Sequence, residues 1–205
     1  MRNILTGILG LLIILVLGGC RSPRPTGYYL IRAEPDIPAV DEPLSLAVDV
    51  SDVRVPLRYQ DRMVFRRGPY RVGFYEHSRW AALPAEMVRR SLIDALNRSG
   101  LFGRVELIGR NPRADIFLIA EILSFDQVIE GEEVRAEFSM ILEAVRADTG
   151  SAVWSGRFVA AVPQQGGEEL AAAMSGAVAG ALSRALEELT AAEELRSLPG
   201  KPASR

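Results

Sequence analysis

The sequence holds very little of what disulfide and metal chemistry need. One cysteine in 205 residues excludes an intramolecular disulfide, and one histidine excludes a histidine-rich metal site. No Cys/His spacing resembles structural zinc. Charge of one sign is not in surplus either, since 24 basic and 26 acidic side chains leave a net charge of -2. That balance argues against a nucleic-acid partner, whose binders carry a basic excess. No Gly-x-Ser-x-Gly elbow is present for a nucleophilic serine, and no glycine-rich loop for a nucleotide, so no cofactor is implied. What is present is apolar. With 48% hydrophobic and 24% charged residues the chain suffices for one compact domain with a sizeable core.

The longest apolar run comes first. In MRNILTGILGLLIILVLGGC a positive residue, Arg2, precedes an apolar stretch from Ile4 to Leu17, short of the roughly 20 residues of a bilayer span. The ending Leu17-Gly18-Gly19-Cys20 resembles a bacterial lipobox. The resemblance implies that residues 1–19 are a signal peptide and that the Cys20 thiol becomes a diacylglycerol thioether at the new N-terminus. The competing reading is a plain membrane anchor with an incidental cysteine. Against it, the chain's single cysteine falls where the lipobox needs it. Two or three acyl chains would hold the protein to a membrane stably, whereas one would be marginal. Without residues 1–19, 23 basic residues face 26 acidic ones, so bulk charge adds no attraction to anionic lipid. Arg21 is not the aspartate that retains many such lipoproteins in the inner membrane, which favours the outer membrane and a periplasm-facing domain.

Residues 20–43 read as a tether. Pro23, Pro25, Pro35, Pro38 and Pro43 disfavour a helix and suit extended chain, with a reach of at most about 75 Å. Within it, Tyr28 to Ile31 is an apolar cluster expected to dock as an edge strand. The domain proper is expected over 44–198, with 199–205 a frayed tail. Leu44, Leu46, Val48 and Val50 alternate with small or polar residues as in a half-buried strand. Residues 62–67 and 70–75 form the arms of a hairpin turning at Gly68-Pro69. A helix is expected over 83–99, with Pro84 in its first turn and Gly100 as left-handed C-cap. A short strand at 105–108 precedes a break at Asn111-Pro112. An antiparallel meander follows near 115–127, 132–147 and 152–162, then a flexible joint at 164–167 and one helix from about 168 to 198. The fold class is α/β with α+β character: a mixed sheet holding the three-strand meander, with two helices mainly on one face.

Candidate chemistry is sparse. His77 lies between Glu76 and Ser78, but alternate residues of an extended segment point to opposite sides, so adjacency does not make a triad. Glu130, Glu132 and Glu133 lack the ligand spacing of a calcium loop. Surfaces are more informative. Arg58, Arg62, Arg66, Arg67 and Arg71 interleave with Tyr59, Phe65 and Tyr70, either as a contact surface for protein or lipid headgroups or as a solvated hairpin. Phe117, Ile119, Leu123 and Phe125 are expected on the sheet face opposite Ile116, Leu118, Ala120 and Ile122, extended by Ile141, Val145, Val153 and Val159. Gly176 and Gly180 fall opposite Met174, Val178 and Leu182, making the last helix apolar nearly all round. Both patches need a cover, from the Tyr28 segment or another subunit, a homo-oligomer being one such cover.

The lipobox, Tyr28-Tyr29-Leu30, the strand LSLAVDV, the run VRVPLRYQDRMVFR and a helix introduced by Arg79-Trp80 and ending LNRSGLF have a joint resemblance. They are similar to the ABC-type transport auxiliary lipoproteins, including the paraquat-inducible lipoprotein group. Val53 and Pro56 match that family's Val-x-x-Pro, Tyr59 and Arg62 its aromatic–Arg element, Val64 and Arg66 its Val-x-Arg, and Arg79-Trp80 its dipeptide before the helix. An extra residue lies between Pro56 and Tyr59. The resemblance covers most of residues 27–190. It implies a non-enzymatic, periplasm-facing lipoprotein that docks on an MCE-domain protein and an associated ABC permease and ATPase, in a system moving phospholipid or other hydrophobic compounds. Tyr59, Arg62, Arg66, Arg79 and Trp80 are the partner-binding residues it suggests. Two further readings are a structural outer-membrane assembly lipoprotein and an envelope hydrolase with a cleft joining His77 to a distant serine and acid.

The lipobox gives the first prediction. Cys20→Ser should leave the chain unacylated and uncut before residue 20, as read by mass spectrometry of the N-terminal peptide. Unchanged processing and acylation would refute the assignment.

Overall fold

The computed structural model describes residues 24–106, 113–164 and 169–199. The signal peptide, Cys20, Asn111-Pro112, most of the expected joint at 164–167 and all but the first residue of the tail lie outside the described residues. The elements in chain order are β1 (Gly27–Tyr29), β2 (Leu44–Val50), β3 (Arg62–Arg67), β4 (Arg71–Trp80), α1 (Pro84–Ser99), β5 (Phe102–Glu106), β6 (Ile116–Glu130), β7 (Glu133–Arg146), β8 (Ala152–Pro163), α2 (Leu170–Ala191) and α3 (Glu193–Arg196).

The strand β6 is the spine of a mixed eight-stranded sheet. Its sequence, IFLIAEILSFDQVIE, combines β-branched and aromatic residues over 15 positions. On one side β7 pairs with it antiparallel along its whole length, and β8 pairs antiparallel with β7. The other side is shared. Parallel to it, β2 pairs at Ile116–Leu118 and β3 at Asp126–Ile129. The connection between them stays on the spine through the Arg54↔Glu121 bridge. Beyond β2 lies β5, and beyond β3 lie β4 and the edge strand β1. The mixed sheet and its meander are as the sequence predicts.

Both long helices close one face. From β7, Ala136, Phe138, Met140, Leu142 and Ala144 point to that face and are fully buried. There α2 lies over β7 and β8, and α1 over β5 and β6. Each large apolar side chain so buried contributes about 1.5–3 kcal/mol. The helix α1 starts with Pro84 at its first position and stops at Gly100, whose φ of 61° is costly for any residue with a Cβ. The predicted helix to residue 198 is instead two. Ala192 is extended (φ -71°, ψ 101°), and this break lets Leu195 of α3 bury in the same core as Leu189. A straight helix would place residues six apart on different faces.

Residues 30–43 do not stand away from the domain. They form a strap along α2. The Arg32 N–H donates to Ser175 Oγ and the Asp36 N–H to Ser183 Oγ, each at 2.9 Å. Both hydroxyls in turn donate to carbonyls four residues back, those of Ala171 and Ala179. Four residues of extended chain span about 13 Å and eight of helix about 12 Å, so strap and helix run side by side in register. Ile31 and Pro35 are buried, with Ala33 and Ile37 half-buried between the solvent-facing residues. This strap is the cover that the apolar helix required. With β1 held in the sheet, the chain between Cys20 and Gly27 reaches about 25 Å at most, in place of about 75 Å for a free tether. Gly176 and Gly180 are not an outward packing face. A Cβ at Gly176 would stand 3.3 Å from Val162 and one at Gly180 3.7 Å from Ala160, so these residues let α2 ride close over the edge strand β8.

Removing both hydroxyls (Ser175→Ala with Ser183→Ala) should cost about 1 kcal/mol for each lost bond. Hydrogen exchange should show the Arg32 and Asp36 amides losing protection first. Equal protection in the variant would mean that apolar contacts alone hold the strap.

Candidate functional site

The middle of β6 decides which side chains face where. Ile122 pairs with Met140, but Ser124 pairs with Ser139, so β6 holds one extra residue there. Before this bulge the even-numbered residues Ile116, Leu118, Ala120 and Ile122 face the helices. After it the odd-numbered Phe125 and Gln127 do. Phe125 is therefore core and not part of the outer apolar face with Phe117, Ile119 and Leu123, where simple alternation put it. Its ring meets Trp80 edge-on at 5.1 Å, Phe138 at 6.0 Å and Tyr59 at 6.5 Å.

The same reversal puts Asp126 on the outer side, opposite Glu137 of β7. Two carboxylates side by side on neighbouring strands repel, and the Arg66 guanidinium bridges them. Its Nε donates to Asp126 Oδ2 at 2.6 Å and a terminal nitrogen to Glu137 Oε1 at 2.5 Å. The row of alternating charge continues through Arg135, 3.8 Å from Glu137 and 2.9 Å from Glu130. Asp126 is only 1% exposed, as is Tyr59, whose hydroxyl and Asp126 Oδ1 lack a hydrogen bond of normal geometry. Burial, then the Asp126 charge, push the Tyr59 phenol up to about 12. Burial raises the Asp126 carboxyl above its usual range, against the pull of Tyr59 and Arg66. The Arg58 guanidinium sits 4.4 Å from the Tyr59 ring centroid and donates to the Leu123 carbonyl at the bulge. The cluster offers no free reactive group. It fixes three strands and a loop to one another.

This geometry sorts the residues that the sequence suggested for partner binding. Tyr59 and Trp80 are buried, so neither presents a docking side chain. Trp80 ends β4 and does not stand at the helix entrance. Arg66 is held by two carboxylates, and Arg79 by Asp61 at 2.6 Å. Of the five, Arg62 alone is exposed, its guanidinium 5.7 Å from the Phe74 ring centroid. Asp126 and Glu137 escaped notice as a pair, although the tight turn after Glu130 fixes their register. His77 is half exposed, its charged neighbour being the adjacent Glu76 at 3.9 Å. Among the described residues no three His, Cys, Asp or Glu are grouped to hold a metal ion, and no helix is long and apolar enough to cross a membrane.

The sheet face away from the helices carries Phe117, Ile119, Leu123, Ile141 and Val145, all half-buried, with Val159 48% exposed. Glu121, Glu143 and Arg157 are set among them. No described element covers this face. Val153 packs instead against the core.

The cluster yields a signed prediction. In Arg66→Ala the buried Asp126 loses its cation, at about 3–5 kcal/mol if it stays ionised. A carboxyl whose folded pKa is raised contributes stability at low pH that is lost as pH rises through that value. Losing Arg66 raises it further, so denaturant melts should show a smaller deficit at pH 5 than at pH 8. An equal deficit at both would show that Asp126 does not carry the effect.

Comparison with known proteins agrees with this architecture. A search of curated proteins gives no match. A solved structure from Xanthomonas campestris, classed as DUF330, is similar with a TM-score of 0.71 at 20% identity, over 84% of this chain and 98% of that one. A second, described as an uncharacterized protein, is similar with a TM-score of 0.57 at 14% identity, over 82% and 98%. At these identities the likeness is one of fold. The sequence itself goes further: the profile of the ABC-type transport auxiliary lipoprotein component matches residues 28–192, from β1 through α2, and the chain belongs to that family.

Proposed function

We propose that the chain is a non-enzymatic, periplasm-facing subunit of an MCE-type, ABC-driven envelope system for phospholipid or other hydrophobic compounds. It is held to the outer membrane through acylated Cys20 and acts by docking. Family membership supports the transport role and the envelope location. The observation that carries docking is the open sheet face. Phe117, Ile119 and Ile141 are half-buried apolar side chains on the side of the sheet away from both helices and the strap, and Val159 of the same face is 48% exposed. Contiguous exposed apolar area of this kind marks an interaction site. Its embedded charges suit a protein partner, and the occupant we assign is the MCE-domain protein. The exposed Arg62 lies on a different part of the sheet and is not needed for this contact.

Co-purification in mild detergent with the MCE protein of the same system tests the reading. Ile119→Asp should lower recovery at least about tenfold, the equivalent of 1.4 kcal/mol at a contact of this kind. Thermal melting checks the fold, and Val159→Asp, at a more exposed position, serves if Ile119→Asp unfolds. Recovery unchanged by both variants would remove this face from the interface. No recovery for the parent, with lipid transport unaltered in a deletion strain, would reject the role and favour the structural alternative.

A further inference from the structure

The hairpin β3–β4 ends in a turn with uncommon surface chemistry. Tyr70 is 96% exposed, and Val72 and Phe74 follow it on β4, both exposed. Around them Arg62, Arg67 and Arg71 are exposed and, among the described residues, form no ion pair. Every basic residue of the chain except Lys201 is arginine, whose planar fork suits phosphate oxygens. Protruding aromatic and aliphatic side chains ringed by arginines match the water–lipid boundary, where an amphipathic ring sits at headgroup level.

The position of the N-terminus says which surface this turn meets. The strand β1 runs parallel to β4, with Gly27 beside Ser78 and Tyr29 beside Trp80. The chain therefore enters the sheet from the hairpin-turn side. Seven residues separate Cys20 from Gly27, and seven separate Arg71 from Ser78. At about 3.3 Å per residue both stretches span about 23 Å, so a leader continuing beside β4 ends level with the turn. A bilayer that holds Cys20 by its acyl chains lies within reach of Tyr70. At the far end of the sheet, the β7–β8 turn at 147–151 is a full strand length away.

We infer that the β3–β4 hairpin turn is a second membrane contact, in which Tyr70, Val72 and Phe74 enter the headgroup region of the bilayer anchoring Cys20 and Arg67 and Arg71 engage lipid phosphates. The inference rests on the acylation of Cys20 that the proposed function includes. The opposing charge is near as well. Glu132 and Glu133 are exposed at the β6–β7 turn, beside the end of β3. The contact should therefore need phosphate headgroups and not a surplus of anionic lipid.

The test uses the full acylated lipoprotein reconstituted into phosphatidylethanolamine–phosphatidylglycerol vesicles. Acylation occupies Cys20, so a cysteine placed by Tyr70→Cys or by Thr149→Cys takes a single environment-sensitive fluorophore. The label at 70 should shift to the blue and be quenched by lipid carrying a shallow spin label, while the label at 149 shows neither change. Arg67→Glu with Arg71→Glu should reduce quenching at 70 without lowering the melting temperature. Mass spectrometry of the Cys20 peptide reads the anchor separately. An acylated protein whose label at 70 is no more quenched than that at 149 overturns the membrane contact and leaves the anchor standing. An unacylated protein overturns the anchor and the contact with it. A label shielded only when the transport partner is reconstituted as well, or only as protein density rises, would assign the turn to protein or to a second copy and overturn the inference.

Discussion

One extra residue in β6 sets the rest of the structure. Without the bulge at Ile122–Ser124, strict alternation would turn Phe125 to water and Asp126 into the helix-covered core beside Phe138 and Met140. A carboxylate among those side chains costs several kcal/mol or must stay protonated. With the bulge, Phe125 joins Trp80, Tyr59 and Phe138, and Asp126 meets Arg66. Ser124 and Ser139 satisfy each other there, their hydroxyls 2.6 Å apart and buried. The bulge also marks where the chain after β2 leaves the spine, with the Arg58 guanidinium on the Leu123 carbonyl. One strand can therefore serve two parallel neighbours in sequence, β2 before the irregularity and β3 after it.

The second constraint is the strap. Pro35, Pro38 and Pro43 have no backbone donor, and the two donors that reach α2, those of Arg32 and Asp36, are spaced to its serines. A segment that composition marks as linker thereby becomes part of the body. The consequence for the whole protein is a short leader. With the anchor proposed at Cys20, about 25 Å of chain would leave the domain few orientations, whereas a long tether would let it sample all of them.

Much of the scaffold was legible because local cues and burial agree in it. Alternation marked β2 and the meander, Gly68-Pro69 the hairpin, and Pro84 and Gly100 the ends of α1. The bulge was not, because Leu123-Ser124-Phe125 keeps a hydrophobic pattern in either phase, and the residue that reveals the change of phase, Ser139, lies on another strand. Nor was the strap, whose serine partners lie more than 140 residues on. The break at Ala192 has no proline or glycine to announce it; Leu195 reaching the core decides it. For the candidate site, the half-buried apolar face was visible at Phe117, Ile119 and Leu123, whereas the burial of Tyr59 and Trp80 and the ion pairs of Arg66 and Arg79 were not.

The family pattern thus falls largely on residues that are buried or held in ion pairs. Of its aromatic and arginine positions, Tyr59 and Trp80 pack on Phe125 and Arg66 holds Asp126 beside the bulge, Arg79 pairs with Asp61, and Arg62 is exposed. The two partly open surfaces differ in kind. The open sheet face mixes Phe117, Ile119 and Ile141 with Glu121, Glu143 and Arg157, and Arg54 pairs with Glu121 at 3.3 Å. Charges of both signs set among apolar side chains suit a protein partner, which can supply the complementary charge at each and so gain selectivity. The hairpin turn instead sets aromatic and aliphatic side chains among arginines. On the readings proposed, charge sorts the two surfaces where hydrophobicity alone would not: the face with charges of both signs suits a protein, and the turn with arginines, on the side from which β1 enters the sheet, suits a phosphate-bearing membrane.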